Sequence, residues 1–329
     1  MGSILDFGIK VVTAIQGLGG WLTVPMKFFS FLGTEDFFMF VLPIIFWCVD
    51  MTLGLQVAFI LLTSSCVNEG LKMALRGPRP YWYSPKVKGL VSETSFGIPS
   101  NHAQTGVGVW GMLAAGVKRT WAWIVAILII LVIGFSRMYL GVHFPHDMLV
   151  GWLIGGLLLW LTLRFWKPIA AWLKKLSTLQ QILVGFAFSI LLLVPILIAR
   201  FSLANWQIPA QWVQNAAASF PEGPLPNPTS IQGPVSDAGT VFGLALGLAL
   251  LVRWGGFQMK DEWWKLILRF LVGVVGVLII RYGLKAIFPD GETVLELALR
   301  YLRYTFIGAW VTGGAPWAFV RLKLAEKAK

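Results

Sequence analysis

Ser136-Arg137-Met138-Tyr139-Leu140-Gly141-Val142-His143-Phe144-Pro145-His146-Asp147 is a short ionisable stretch set between two apolar runs, near 121–140 and 147–166. Each run approaches the ~20 residues a helix needs to cross the hydrocarbon core of a bilayer. A guanidinium, imidazoles and a carboxylate at such a place are costly, and ionisable groups at membrane depth are kept mainly where they act. The stretch therefore implies two things together. The chain is a bundle of membrane helices, and its chemistry lies at helix ends.

Working outward, further apolar runs lie near 38–49, 53–72, 103–117, 181–200, 237–252, 264–284 and 304–320. The expected fold is all-α, a polytopic membrane bundle of about nine spans by hydropathy. Composition agrees: 57% hydrophobic residues, 13% charged, 17 Trp and a mean hydropathy of +0.73 lie outside the range of soluble domains. The segment 4–32 is apolar but broken by Lys10, Gly17, Gly19, Gly20 and Pro25, so it reads as an interfacial or re-entrant helix. It has no basic leader region or small-residue cleavage site and does not read as a signal peptide. Cys48 and Cys66 fall inside apolar runs, which suits buried thiols better than a disulfide or a metal site.

The net charge of +12 is scattered between spans, so it fits membrane orientation and argues against a nucleic-acid partner. With Lys118-Arg119 on the cytoplasmic side, alternation of spans brings Arg164, Lys167, Lys174, Lys175, Arg253, Lys260 and Arg321 to the same side. The 72–102 loop, the 136–147 turn and the 201–236 loop then face outward. Lys285, Arg300 and Arg303 also fall there, partly balanced by Asp290, Glu292 and Glu296. The expected location is thus a plasma membrane, the inner membrane of a bacterium, with the site open to the periplasm or exterior.

Two blocks divide the chain. Residues 1–176 hold every chemistry-bearing motif, whereas 177–329 hold additional helices, a Pro-rich loop and no histidine. In the first block, Lys72 is followed after six residues by Arg79-Pro80, and Pro99-Ser100-Asn101-His102 precedes the 103–117 run. A lysine at a span end is often only a snorkelling anchor. Here it is joined by Arg79, whose following proline extends the backbone, and a guanidinium so held grips phosphate oxygens in bidentate fashion. Ser100 or Asn101 reads as a helix cap, and a helix N-terminus favours a bound anion. His143 and Asp147 are four residues apart, a spacing that lets the carboxylate fix the imidazole tautomer. The plain alternative is an Arg137–Asp147 ion pair at the membrane surface. His146 has no assigned part.

The three segments together resemble the signature of the type 2 phosphatidic acid phosphatase superfamily over roughly residues 38–166. Its first motif corresponds to Lys72, Arg79 and Pro80, its second to Pro99, Ser100 and His102, and its third to Ser136, Arg137, His143 and Asp147. Asn101 stands where the family most often has glycine. The resemblance implies that His143 is the nucleophile, His102 the general acid, Asp147 the orienting carboxylate, and Lys72, Arg79, Ser100 and Arg137 the phosphate-binding groups, with no cofactor and no metal. It implies hydrolysis of a phosphate monoester or pyrophosphate on a membrane lipid, in contact with the bilayer. The run Arg79-Pro80-Tyr81-Trp82 also resembles glucose-6-phosphatase, which takes a soluble sugar phosphate. A lipid phosphotransferase or a non-catalytic lipid phosphate transporter are the rival readings. Gly-rich runs in the second block, 239–247 and 273–276, suit close packing, whether at a homodimer face, over the core or around a lipid tail.

Overall fold

The computed structural model describes residues 2–328. It is all-helical, and among the described residues the one pairing outside helices is an isolated antiparallel bridge between Phe257 and Lys327. By length and composition six helices can cross a membrane, or seven if the pair Gly2–Gln16 and Gly20–Phe31, bent by 88°, is one broken span. That bend falls at the glycines that interrupt the apolar segment 4–32. Three runs counted as spans from hydropathy are not among these: an apolar helix over Phe40–Val49, the helix Asn101–Val117, and the 304–320 run, which stays helical but passes through a π-helical turn at Trp310–Gly314.

The chain forms two compact units, each interleaved along the sequence. The first comprises Met1–Phe38, Val67–Trp160 and Ile196–Ser230; the second comprises Met39–Cys66, Leu161–Pro195 and Ile231–Lys329. The division at residue 176 separates motif-bearing from motif-free sequence, whereas the units follow packing.

Helices are numbered in chain order: α1 Gly2–Gln16, α2 Thr23–Phe31, α3 Glu35–Ile44, α4 Met51–Leu75, α5 Pro80–Tyr83, α6 Asn101–Val117, α7 Thr120–Tyr139, α8 Pro145–Leu173, α9 Thr178–Phe201, α10 Ala210–Ser219, α11 Gln232–Trp254, α12 Trp263–Ile287, α13 Val294–Ala309 and α14 Ala315–Arg321.

In the first unit α6 starts where Ser100 caps it, its side chain accepting from the Ala103 amide at 3.4 Å. It ends at Lys118 in the left-handed region, and α7 runs back from Thr120. The turn into α8 needs Gly141, at φ +75°, where a side chain would also collide with the Lys88 carbonyl. Pro145 opens α8 and Asp147 sits in its first turn, both favourable at a helix N-terminus. At Gly151 a Cβ would come within 2.8 Å of the Ser100 carbonyl, so α8 lies directly against the start of α6. Large apolar side chains such as Leu128, Leu153 and Trp160 remain more than half exposed, as a lipid-facing surface requires.

The second unit packs α11 on α13 through backbone contacts. Gly239, Gly243 and Gly247 lie against α13 at Tyr301, Thr305 and Ala309, where any side chain would clash. Gly273 packs against Trp47 and Gly276 against Trp310. These glycine runs therefore serve packing within the unit.

Candidate active site

All seven candidate residues fall in the first unit, and six of them are buried. Lys72 closes the last turn of α4, and its ammonium donates to Glu69 and to Ser95 Oγ, both at 2.8 Å. Arg79 precedes α5 in extended backbone, as the following proline demands. Its Nε donates to the Ser95 carbonyl at 2.7 Å, Nη2 to Ser95 Oγ at 3.1 Å, and Nη1 to the Val142 carbonyl and to His143 Nε2, each at 3.2 Å. Trp82 stands 5.8 Å from the guanidinium carbon. Ser95 thus ties Lys72 and Arg79 into one cationic wall.

His143 lies just before α8. Its Nδ1 is 3.3 Å from Asp147 Oδ2, which also accepts from the Phe144 amide at 2.8 Å. A guanidinium can only donate, so the Arg79 contact makes Nε2 the unprotonated nitrogen and leaves the proton on Nδ1, facing the carboxylate. The spacing of four operates here across a helix start. Burial holds the His143 pKa well below the ordinary histidine range, with Arg79, Arg137 and Lys72 acting in the same direction. A neutral imidazole with its lone pair on Nε2 is the reactive form of a histidine nucleophile.

Arg137, in the last turn of α7, donates through Nη1 to Ser30 Oγ at 2.6 Å and through Nη2 to Glu93. Its Nε is buried without a partner. His102 is the second residue of α6, and its Nε2 is likewise buried and unpaired. Burial lowers the His102 pKa well below its ordinary value, and Arg137 adds to this against the opposing pull of Glu93. Ser100 contributes the first turn of α6, and its amide donates to the Asp147 carbonyl at 3.1 Å, linking the second motif to the third. Asn101 Oδ1 is also buried and unpaired. The neighbouring His146 stacks on Phe144 and approaches Asp147 Oδ1 at 3.3 Å.

The sequence reading missed Glu93, Ser95 and Ser30. Glu93 pairs with both Arg137 and Arg79, the latter at 3.4 Å. Burial alone would raise its pKa, but the guanidinia of Arg79 and Arg137 outweigh this and hold it below the ordinary carboxylate range. One signal was present: Glu93 is the sole acidic residue between Glu69 and Asp147, in a stretch rich in Lys and Arg. The serines carry no comparable signal. Among the described residues no three His, Cys, Asp or Glu side chains converge to hold a metal ion.

Residues 53–170 match the PAP2 superfamily profile, and residues 235–327 match that of the PAP2 superfamily phosphatase transmembrane extension. Phosphatidylglycerophosphatase B of Bacillus subtilis (strain 168) is 30% identical over 168 residues, 47% of this chain and 80% of that protein. The chain belongs to the PAP2 superfamily. Other relatives are glucose-6-phosphatase 3 of Bos taurus, 30% identical over 186 residues, 49% of this chain and 54% of that protein, and sphingosine-1-phosphate phosphatase 2 of Homo sapiens, 29% over 153 residues, 44% and 37%. The match thus spans about half the length of the bovine protein. A crystal structure described as the first transmembrane PAP2 type phosphatidylglycerolphosphate phosphatase, from Bacillus subtilis, aligns with a TM-score of 0.42 and 28% identity, covering 49% of this chain and 86% of that one. The family profile encloses all seven candidate residues and Glu93.

Proposed function

We propose that this membrane protein is a phosphatase that hydrolyses a phosphate monoester or pyrophosphate of a membrane lipid through a phosphohistidine on His143. The observation that carries this reading is the buried, neutral His143, oriented by Asp147 and bordered by Arg79 in a cradle that also holds Lys72 and Arg137. His143 Nε2 attacks phosphorus as the bond from phosphorus to the leaving oxygen breaks. His102 donates a proton to that oxygen. Water then attacks the phosphohistidine, giving its proton to His102 and returning inorganic phosphate and free His143. Lys72, Arg79, Arg137 and the amides at the start of α6 stabilise the charge on the equatorial oxygens. His102 is held neutral in the free site by burial and Arg137; a bound phosphate dianion beside it favours the imidazolium, so substrate itself charges the acid.

A lipid head group is favoured because the site lies at the ends of α4, α6, α7 and α8, helices with the length or apolarity of the membrane interior. Relatives named for phosphatidylglycerophosphate and sphingosine 1-phosphate support the same class. The relatives named glucose-6-phosphatase support a second reading, a sugar phosphate. Lys118 and Arg119 sit at the ends of α6 and α7 opposite the site, which under the positive-inside rule turns the site outward from a plasma membrane.

The test is phosphate release by the detergent-purified protein in EDTA, against phosphatidic acid, phosphatidylglycerol phosphate, undecaprenyl pyrophosphate, sphingosine phosphate and glucose 6-phosphate, with His143→Ala as control. Release from a lipid phosphate that is lost in the variant supports the proposal. Release from glucose 6-phosphate alone supports the second reading, and release from none, by a folded protein, overturns both.

A further inference from the structure

The cradle that should receive a phosphate already contains an anion. Glu93 places one carboxylate between the guanidinia of Arg79, just before α5, and Arg137, in the last turn of α7. Both arginines have other fixed partners: Arg79 is held by Ser95 and the Val142 carbonyl, Arg137 by Ser30. Glu93 is therefore not what locates them. Nor does its own loop need to move for the carboxylate to leave. The Tyr81 hydroxyl, itself buried, donates to the Glu93 carbonyl and accepts from the Glu93 amide, both at 3.0 Å, so the backbone is pinned at this residue. The side chain is 26% exposed, whereas those of Lys72, Arg79 and Arg137 are at most 4% exposed. Rotation about the side-chain bonds is enough to move the carboxylate from the arginines toward solvent.

Buried cations without a counter-charge are strongly unfavourable. Within the cradle Glu93 supplies part of that charge, and a phosphate dianion would supply more of it, with more acceptor oxygens. It could also satisfy the two donors left unpaired, Arg137 Nε and the protonated form of His102 Nε2. Resting on the phosphate-site reading above, we propose that Glu93 is a displaceable internal anion: phosphate binding drives its carboxylate out of the cradle, and its return competes with product phosphate and helps to expel it. Glu93 is in this sense a positioning residue that sets how tightly the site holds phosphate. The competition falls on substrate and product alike, so its kinetic value lies in the release step, where tight binding of product slows turnover.

The experiment measures inorganic phosphate binding to the full-length, detergent-purified protein by calorimetry, alongside phosphate inhibition of turnover, in wild type, Glu93→Gln and Glu93→Asp. Glu93→Gln should bind phosphate about tenfold more tightly or better, the change expected when one charged competitor is removed. Its KM should fall together with kcat, as release becomes slower. Glu93→Asp, which keeps the charge on a shorter arm, should lie between the two. Should Glu93→Gln fail to fold, Glu93→Asp carries the test alone: a smaller gain in phosphate affinity over wild type supports the proposal, and no gain overturns it. Unchanged or weaker phosphate binding in folded Glu93→Gln overturns the proposal and leaves Glu93 as a structural bridge. Absence of phosphate binding in wild type itself overturns the phosphate-site reading, and the wild-type protein alone reports that result.

Discussion

Arg137 in the first unit and Arg269 in the second are both deeply buried, and their hydrogen bonding differs. In the second unit Arg269 is fully buried and each arm is paired: Nε with the Leu324 carbonyl at 2.8 Å, Nη1 with the Met259 carbonyl at 2.8 Å and Nη2 with Asp261 at 2.6 Å. The residue clasps the C-terminal segment, with one partner at each of its three nitrogens. In the first unit Arg137 is as deeply buried, but its Nε is unpaired and its carboxylate partner is shared with Arg79. Burial and charge alone do not separate a structural arginine from a ligand-binding one. Hydrogen bonding does distinguish this pair: a buried donor without a partner costs about 1–3 kcal/mol, and Arg137 Nε carries that cost whereas each nitrogen of Arg269 has a partner.

The contrast can be broken by substitution in each unit. His143→Ala should give the largest effect, a loss of at least about 10³-fold in phosphate release, since removing a nucleophile removes the covalent route. Arg137→Ala and Arg79→Ala should each lower kcat per folded molecule by about 10²–10³-fold, the scale seen when one preorganised donor to a developing charge is deleted. Arg269→Ala should do the reverse. Activity per folded molecule should hold, but stability should fall by about 3–5 kcal/mol because Asp261 and two carbonyls lose their partner. Turnover normalised to folded protein, with thermal unfolding in detergent, decides between them. Loss of activity without loss of stability in Arg269→Ala would erase the distinction. Asn101→Gly should have a smaller effect, below about tenfold and mostly in KM, because Asn101 Oδ1 is buried and unpaired in the first turn of α6, next in sequence to His102, and none of the reacting groups is removed.

Much of this site was legible before any coordinates. Lys72, Arg79, Ser100, His102, Arg137, His143 and Asp147 are polar groups at the edges of apolar runs, and such groups stand out because the medium penalises them. The all-helical class follows from the same runs. The count of about nine spans differs from the six or seven helices long and apolar enough to cross, because hydropathy does not register helix length: 38–49 and 103–117 read as spans although their helices, Phe40–Val49 and Asn101–Val117, are short. The way the chain interleaves into two units was not legible either. It depends on which helices pack, and the glycines of α11 that meet α13 look in sequence like any small-residue stripe. Ser30 and Ser95 escaped because a serine hydroxyl near an apolar helix is ordinary; only its distance from a guanidinium gives it meaning. Glu93 escaped for a different reason. A lone acid in a basic loop suggests charge balance, and only the geometry shows that it sits between two cations.

That position has a consequence for pH, the smallest effect expected here. Glu93 is held below the ordinary carboxylate range in the folded state by Arg79 and Arg137, against the opposing effect of burial. A depressed acid contributes stability that is present above its unfolded pKa and is lost as pH falls below it, because the unfolded chain binds the proton first. For Glu93 that loss begins as pH drops through about 4.5, its ordinary value, and continues downward. Wild type should therefore melt a few degrees above Glu93→Gln at neutral pH, and the gap should close as the medium is acidified. Arg269→Ala serves as the counter-case: part of its deficit comes from two lost carbonyl partners, which do not titrate, so that part should persist further into acid. If the Glu93→Gln deficit is constant down to about pH 3, the carboxylate is not held ionised by the two arginines, and the contrast between a shared and a fully paired buried arginine loses its electrostatic basis.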